Sequence, residues 1–348
     1  MTAPRWSPGW ASFAAMVAAG LALLFGLPLV FDLFGLLQMT VFAAMAMLAL
    51  SQGFIWGYGG IMSFGQTAFF GLGGYTYAVA VLNMGDSTVP VLLSVLLPAL
   101  FAALLGYFMF YGRISDAYIG VITLTVTVIL FNVVNSTAGD FYTIGNAPLG
   151  GFNGMPSVPP LNVPNDPATP LDPEQTWYAA MGALILVYVL LRAILASRFG
   201  RVVVAIRENE TRAQLLGYDT RLYKLIVFSI GGGVAGLAGC LYANWGSFIS
   251  PTVFGLATSA QVLIYVLVGG LGTLLGPILG AVGIQYLISI IGTQGAVNAN
   301  LVLGVVLVVF VLLVPQGLVP VVQGLFRRMP GLGGGRQAAG AAPLEAEP

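Results

Sequence analysis

Runs of about 20 consecutive apolar residues recur along most of this sequence, separated by short polar breaks. A helix of that length crosses the ~30 Å hydrocarbon core of a bilayer. Inside lipid every backbone N–H and C=O must be bonded within the protein, so only helices or a closed barrel can span it. Barrel strands alternate apolar and polar residues, whereas these runs are continuous, which selects helices. They fall near 10–31, 34–56, 58–82, 88–111, 117–137, 176–197, 222–244, 256–270, 274–292 and 299–321. The eighth and ninth are short and share the turn Gly269-Gly270-Leu271-Gly272, so they read as two crossings or one re-entrant pair. The expected fold is all-α and polytopic, with eight to ten spans. The first run is too long for a signal-peptide core, and Asp32 and Phe34 follow where small residues would be needed.

Composition supports this reading. Only 7% of the 348 residues are charged, against roughly 25% in soluble domains. Histidine is absent and Cys240 is the one cysteine, which removes a structural zinc site, a disulfide framework and imidazole chemistry. Basic and acidic residues balance at 12 each, so no charge excess points to nucleic acid.

Lys and Arg mark loops that stay in the cytoplasm. Seven of the 12 basic residues lie between Arg192 and Lys224, and the others are Arg5, Arg113, Arg327, Arg328 and Arg336. Ten spans and a cytoplasmic N-terminus place all 12 inside and both termini in the cytoplasm, with only acids in the outer segments: Asp32, Asp86, Asp140, Asp166, Asp172 and Glu174. The chain then divides into a cytoplasmic N-terminus 1–9, a membrane domain 10–328 and a disordered cytoplasmic tail 329–348. Within the membrane domain, 138–175 is an outer loop rich in Pro, Asn and Gly, and 198–221 is a basic inner loop.

Three sets of residues could carry function. The inner loop reads as one amphipathic helix from Arg201 to Leu216, ended by Gly217. Val202, Ala205, Ile206, Ala213 and Leu216 form its apolar stripe, Arg207, Glu208 and Arg212 its polar side, and Glu208 can pair with Arg212 one turn on. The residues leave open a helix lying on anionic lipid and one docked on a protein partner. Glu208 and Glu210 among the arginines suit a shaped protein groove better than uniform lipid charge. The third run holds seven glycines from Gly57 to Gly74, a spacing that allows close helix contact or exposes backbone to a cavity. Ser63, Gln66 and Thr67 lie within one turn there, as substrate contacts or as interhelical hydrogen bonds. Thr125 and Asn132 share a face of the fifth run, with the same two readings. Gly232/Gly236 and Gly276/Gly280 have the GxxxG packing spacing.

Several activities are excluded. The one lysine, Lys224, follows Arg221-Leu222-Tyr223 rather than a glycine loop, so the chain has no P-loop. No carboxylate, lysine or arginine lies near a span centre, which argues against a proton-coupled carrier and an intramembrane aspartyl protease. What remains is a translocation pathway driven from outside this chain.

The glycine-rich third span, the loop Gly200–Gly217, and Ile249-Ser250-Pro251 followed by Val268-Gly269-Gly270-Leu271-Gly272-Thr273-Leu274-Leu275-Gly276-Pro277 together resemble the branched-chain amino acid ABC importer permeases, nearest their M-type subunit. The similarity runs from about Phe34 to Pro320. It implies a transport subunit, not an enzyme, in the bacterial inner membrane, paired with an H-type permease, two ATPase subunits that bind ATP and Mg, and a periplasmic binding protein. This chain would itself hold no cofactor or metal. The segment carrying Arg201, Ala205, Arg207, Glu208, Glu210, Arg212 and Gly217 would couple to an ATPase, and 138–175 would meet the binding protein. Two departures stand out. Gln66 occupies a position where relatives often have histidine, and Leu149 opens a glycine motif that usually begins with threonine. Urea and short-amide importers use similar permeases, and a channel or scaffold without ATP coupling is the alternative of a different class.

The topology has a direct test. With Cys240 replaced by serine, a cysteine at Asn165 should react with an impermeant maleimide on intact spheroplasts. One at Asp219 should react only after permeabilisation. Labelling at 219 from outside would reverse the orientation.

Overall fold

The fold comes from a computed structural model of the full chain, which describes residues 10–139, 141–164, 166–294, 304, 305 and 308. The run at 299–321 and the tail 329–348 therefore lie almost wholly outside the described residues.

Among the described residues eleven α-helices follow one another up to residue 294: α1 (Trp10–Val30), α2 (Leu33–Gly57), α3 (Gln66–Met84), α4 (Thr88–Tyr111), α5 (Asp116–Asn135), α6 (Pro173–Ala196), α7 (Arg198–Glu208), α8 (Glu210–Leu215), α9 (Thr220–Gly246), α10 (Leu256–Gly269) and α11 (Leu275–Gln294). Seven of them are long and apolar enough to cross a membrane: α1, α2, α4, α5, α6, α9 and α11. The chain is thus a polytopic helical membrane protein. Polar residues set the helix ends. Asp32 Oδ1 accepts from Gly35 N at 3.0 Å to open α2, and Asp172 with Gln175 forms a capping box ahead of α6.

α9 is the central post. It packs along α2, α3 and α4, and the fit is made by glycine. A Cβ on Gly73 would overlap the Gly236 backbone, and one on Gly239 would overlap the Phe70 carbonyl. On the other side Gly236 faces Ser94 O of α4. Pro98 cannot donate to that carbonyl, so α4 turns a free backbone oxygen toward α9. α2 is the other enclosed helix, and α11 lies along it through Gly53 against Pro277 and a Gln38–Ser289 hydrogen bond.

The eighth and ninth runs form a tight hairpin. Gly269, Gly276 and Gly280 allow its backbones to touch, which is the packing role of that spacing. α10 has 14 residues, a rise of about 21 Å and too short to span alone. A 3-10 turn, Pro251–Phe254, extends it. The hairpin tip lies where α2 ends, since a Cβ on Gly57 would sit 3.0 Å from Gly272 N. Its entry strand 248–249 pairs with 155–156 of the long loop at the opposite end. The segment from 248 to 272 therefore runs from one end of the bundle to the other.

Two expectations need correction. The third run is helical only from Gln66, because Tyr58–Gly65 forms a non-helical link in which Gly60 takes φ 70°. The segment 201–216 is two helices. Asn209 is extended (φ −160°, ψ 100°), ending α7, and its Oδ1 accepts Arg212 N at 2.8 Å to cap α8. The loop 138–175 is a folded cover with short antiparallel pairings at 143–144/147–148 and 162–163/166–170. Asn162 ties it to the α3–α4 turn, donating Nδ2 to Asp86 Oδ1 at 2.7 Å and accepting Ser87 N at 2.7 Å. Its glycine motif turns through positive φ at Gly150, Gly151 and Gly154.

Gly73→Ala should separate α3 from α9 and destabilise the protein by about 1–3 kcal/mol. Gly182→Ala, where nothing lies within 4 Å of the added carbon, should be neutral or slightly stabilising. Thermal melts of the two variants in detergent check this; equal melting points would remove the close-packing argument.

Candidate functional site: a buried polar cluster and the segment beneath it

The start of α3 collects polar side chains from four helices and a backbone carbonyl from a fifth. Gln66 donates Nε2 to Ser51 Oγ of α2 and to Gly231 O of α9, both at 3.0 Å. Thr67 Oγ1 and Ser259 Oγ of α10 lie 2.6 Å apart. Gln52 of α2 donates Nε2 to Ser63 O at 2.7 Å, and Ser63 Oγ accepts Gly65 N at 3.3 Å. Phe64 N donates to Thr123 Oγ1 of α5 at 3.1 Å. Ser51, Gln52, Ser63, Gln66, Thr67, Thr123, Thr127 and Ser259 are all buried.

Two atoms are left over. Gln52 Oε1 and Gln66 Oε1 are buried without a partner. Both amide nitrogens already face acceptors, so flipping either amide would lose bonds. Gln52, Ser63, Gln66, Thr67 and Ser259 line a crevice that has no room for a water molecule in this conformation. The first N–H groups of α3 have no carbonyl within the helix to accept them. The cluster offers neutral donors and acceptors only. It can hold helices in register or meet a polar solute, and it cannot transfer a proton.

Sequence reasoning found Ser63, Gln66 and Thr67, and the structure brings them together. It places Thr125 and Asn132 elsewhere, on the exposed face of α5, bonded to Val121 O and Val128 O of their own helix at 2.9 Å. The face of α5 that meets the cluster carries Thr123 and Thr127 instead. Ser51 and Gln52 were missed, although a Ser-Gln pair inside an apolar span is itself a signal.

The second constellation lies under the α2–α3 link. Val202, Ile206 and Ala213 form a small apolar cluster with Tyr223, holding α7 and α8 against α9. Ala205 and Leu216, expected in the same stripe, are exposed: Ala205 falls at the edge of the buried face of α7, and Leu216 lies beyond the break at Asn209, just past the end of α8. Leu215 and Leu216 are 82% and 76% exposed. Glu208 pairs with Arg207 at 2.6 Å, not with Arg212. Glu210 pairs with Lys224 at 2.6 Å; burial pushes its carboxyl up, but the hydrogen bonds from Lys224 and Thr220 and the charges of Lys224 and Arg221 together hold it below the usual value. Arg201 and Arg212 are exposed, and Gly217 (φ 87°) turns the chain into Tyr218, whose N–H bonds Ala213 O at 3.2 Å. Arg207 reaches up to bond Gly57 O, and its stem lies under Gly60, where a Cβ would come within 2.8 Å of Arg207 Cγ.

Comparison with known proteins settles the family. The model of the branched-chain amino acid transport system permease component matches residues 36–314. The chain belongs to that family. It is the membrane permease component of such a transport system, a multi-pass protein of the bacterial inner membrane. The high-affinity branched-chain amino acid permease protein LivM of Escherichia coli K12 is 27% identical, over 84% of this chain and 71% of its own. The inner membrane ABC transporter permease protein YjfF of the same organism is 34% identical over 39% and 44%. The autoinducer 2 import permease LsrC of Salmonella paratyphi B is 41% identical over 30% and 32%. No solved structure matches the chain. These relatives are transport subunits, and as a family member the chain works within an ABC transporter alongside other permease and ATPase subunits.

Gln66→Leu removes two interhelical bonds and should lower stability by about 1–2 kcal/mol. Gln66→His keeps a ring donor for Gly231 O and should lose less. Thermal midpoints of the purified variants give the order; a leucine variant as stable as wild type would leave the cluster without a structural role.

Proposed function

We propose that this permease passes branched-chain, hydrophobic amino acids inward across the membrane. A periplasmic binding protein would deliver them at the 138–175 cover, and two cytoplasmic ATPases holding ATP and Mg would drive the passage. A homologous H-type permease would complete the membrane unit. The family match and the LivM relative support the substrate class.

Within this reading α7 and α8 are the coupling segment. The observation that carries it is a short mechanical route. Leu215 and Leu216 face outward on α8, and apolar side chains so exposed outside the spans suit a protein groove. α8 is packed to α7 through Val202, Ile206 and Ala213. Arg207 of α7 then holds Gly57 O and underlies Gly60, the start of the link that ends in Ser63, Gln66 and Thr67. A push on α8 thus reaches the polar cluster through one helix and one arginine. Opening there would wet the unpartnered oxygens of Gln52 and Gln66 and bring α3 amides toward a polar solute.

Thr125 and Asn132 take a different part. They continue a line of polar exposed residues along α5 with Tyr118, ending at Ser136 just past the helix. Such a line is costly against lipid but suits the wall of a pathway shared with a second permease.

Replacing Leu215 and Leu216 by aspartate should leave insertion intact, since both are exposed. It should reduce co-purified ATPase at least tenfold, the size of a lost interface anchor of ~2 kcal/mol. Arg207→Ala should keep the ATPase but lower uptake, having cut the route above the docking face. Full ATPase association in the first variant, or full uptake in the second, would refute the coupling assignment.

A further inference from the structure

A cleft of about 510 Å³ opens between the α4–α5 turn and the α8–α9 region, at the same end of the bundle as α7. Arg113, Asp116, Glu210, Arg221 and Lys224 line it with Thr211 and Gln214. Three cations face two carboxylates, and both carboxylates are spent on one partner: Lys224 Nζ lies 2.6 Å from Glu210 and 3.6 Å from Asp116. Among the described residues neither Arg113 nor Arg221 has a carboxylate within 4.0 Å. The lining therefore carries one net positive charge, and neither guanidinium is held in an ion pair. Arg113 adopts φ 55° as the left-handed residue that ends α4, with Ile114 N bonded to Met109 O at 3.1 Å, and this turn aims the chain past the cleft. The α5 N-terminus opens beside it at Ser115, whose hydroxyl makes no cap bond to the helix.

We propose that this cleft binds the phosphate headgroup of an anionic phospholipid. The source is lipid rather than a soluble phosphate because the cleft continues into a membrane-facing apolar surface. Arg221 lies 5.9 Å from the Tyr111 ring, Tyr111 stacks on Tyr107 at 4.9 Å, and Tyr107 is exposed on the face of α4 that also shows Leu100, Leu104 and Phe108. Tyrosines at that level mark the membrane interface, and exposed leucines beyond them give acyl chains a surface. Guanidinium groups bind phosphate oxygens bidentately, and basic pockets between membrane helices take such headgroups. The site is distinct from the outward face of α8 and stands whether or not α8 docks an ATPase. Its occupant would touch Thr211 and Gln214, so lipid charge would be felt by α8 itself.

The test uses the full chain purified in detergent, melted with added dihexanoyl phosphatidylglycerol, dihexanoyl phosphatidylcholine or inorganic phosphate. Phosphatidylglycerol should raise the melting point and phosphatidylcholine and phosphate should not. Arg113→Gln with Arg221→Gln should weaken the apparent affinity by on the order of tenfold or more. Thr211→Glu, which adds a carboxylate at an exposed position and removes no contact shown for the cleft, should do the same should the double variant fold poorly. Arg198→Gln, on exposed α7 surface, should leave the shift intact. Equal stabilisation by both lipids, or a phosphatidylglycerol shift that survives Thr211→Glu, would overturn the site. A shift of the same size from inorganic phosphate would overturn the lipid assignment.

Discussion

Everything in this bundle depends on how closely α9 approaches its neighbours. Lipid tails are as apolar as leucine, so helices in a membrane gain little from hiding apolar side chains and are held by contact and hydrogen bonding instead. Gly73 against Gly236, Gly239 against Phe70 O and Gly236 against Ser94 O bring α3, α9 and α4 to backbone contact. That approach also places Gly231 O within reach of the Gln66 amide. The packing of glycine and the polar cluster are thus one arrangement. A bulkier residue on α9 would both open the bundle and remove an acceptor from Gln66.

The same economy governs the α2–α3 link. A helix that ran unbroken from Gly57 to Met84 would leave no backbone for Gln52 to bind. The residues at Gly59–Gly65 unwind instead, so Ser63 O and Phe64 N are free to meet Gln52 and Thr123. Unwound backbone is tolerated at membrane depth only where protein encloses it. Here the enclosure comes from α2, α5 and α10, and at the α7 end of the link from Arg207. One link therefore belongs at once to the cluster and to the segment that would receive mechanical force.

How much of this could be read from the residues follows from the physics of each signal. Spans are written in hydropathy, and nine of the ten expected runs coincide with helices, the tenth lying almost wholly outside the described residues. Ser63, Gln66 and Thr67 stood out because polar side chains in an apolar run are expensive. Their partners did not. Which face of α5 meets α3 is set by tertiary packing, so Thr125 and Asn132 were as visible as Thr123 and Thr127 but point away from the cluster. The break at Asn209 was legible in principle, since asparagine followed by an acidic first turn is a helix-start signal. An amphipathic pattern that continued across it hid the break. The pairing of Glu210 with Lys224 spans 14 residues and a helix boundary, beyond what local spacing conveys.

The chemistry of the cluster finally constrains where energy can enter. Among the described residues the buried polar side chains of the spans are hydroxyls and amides, with no carboxylate or amine. A proton gradient or membrane potential acts on charge, and neutral groups give it little to act on. Work has to arrive as displacement, and the closed crevice is suited to respond. Gln52 and Gln66 each keep a buried oxygen without a partner, a desolvation penalty of about 1–3 kcal/mol for such a group. Wetting the crevice recovers that penalty and offsets part of the packing lost when α3 moves from α2 and α10. An opened state of the crevice would thereby come closer in free energy to the closed one. In the coupling role proposed for α8, a few contacts made or broken there would select between them.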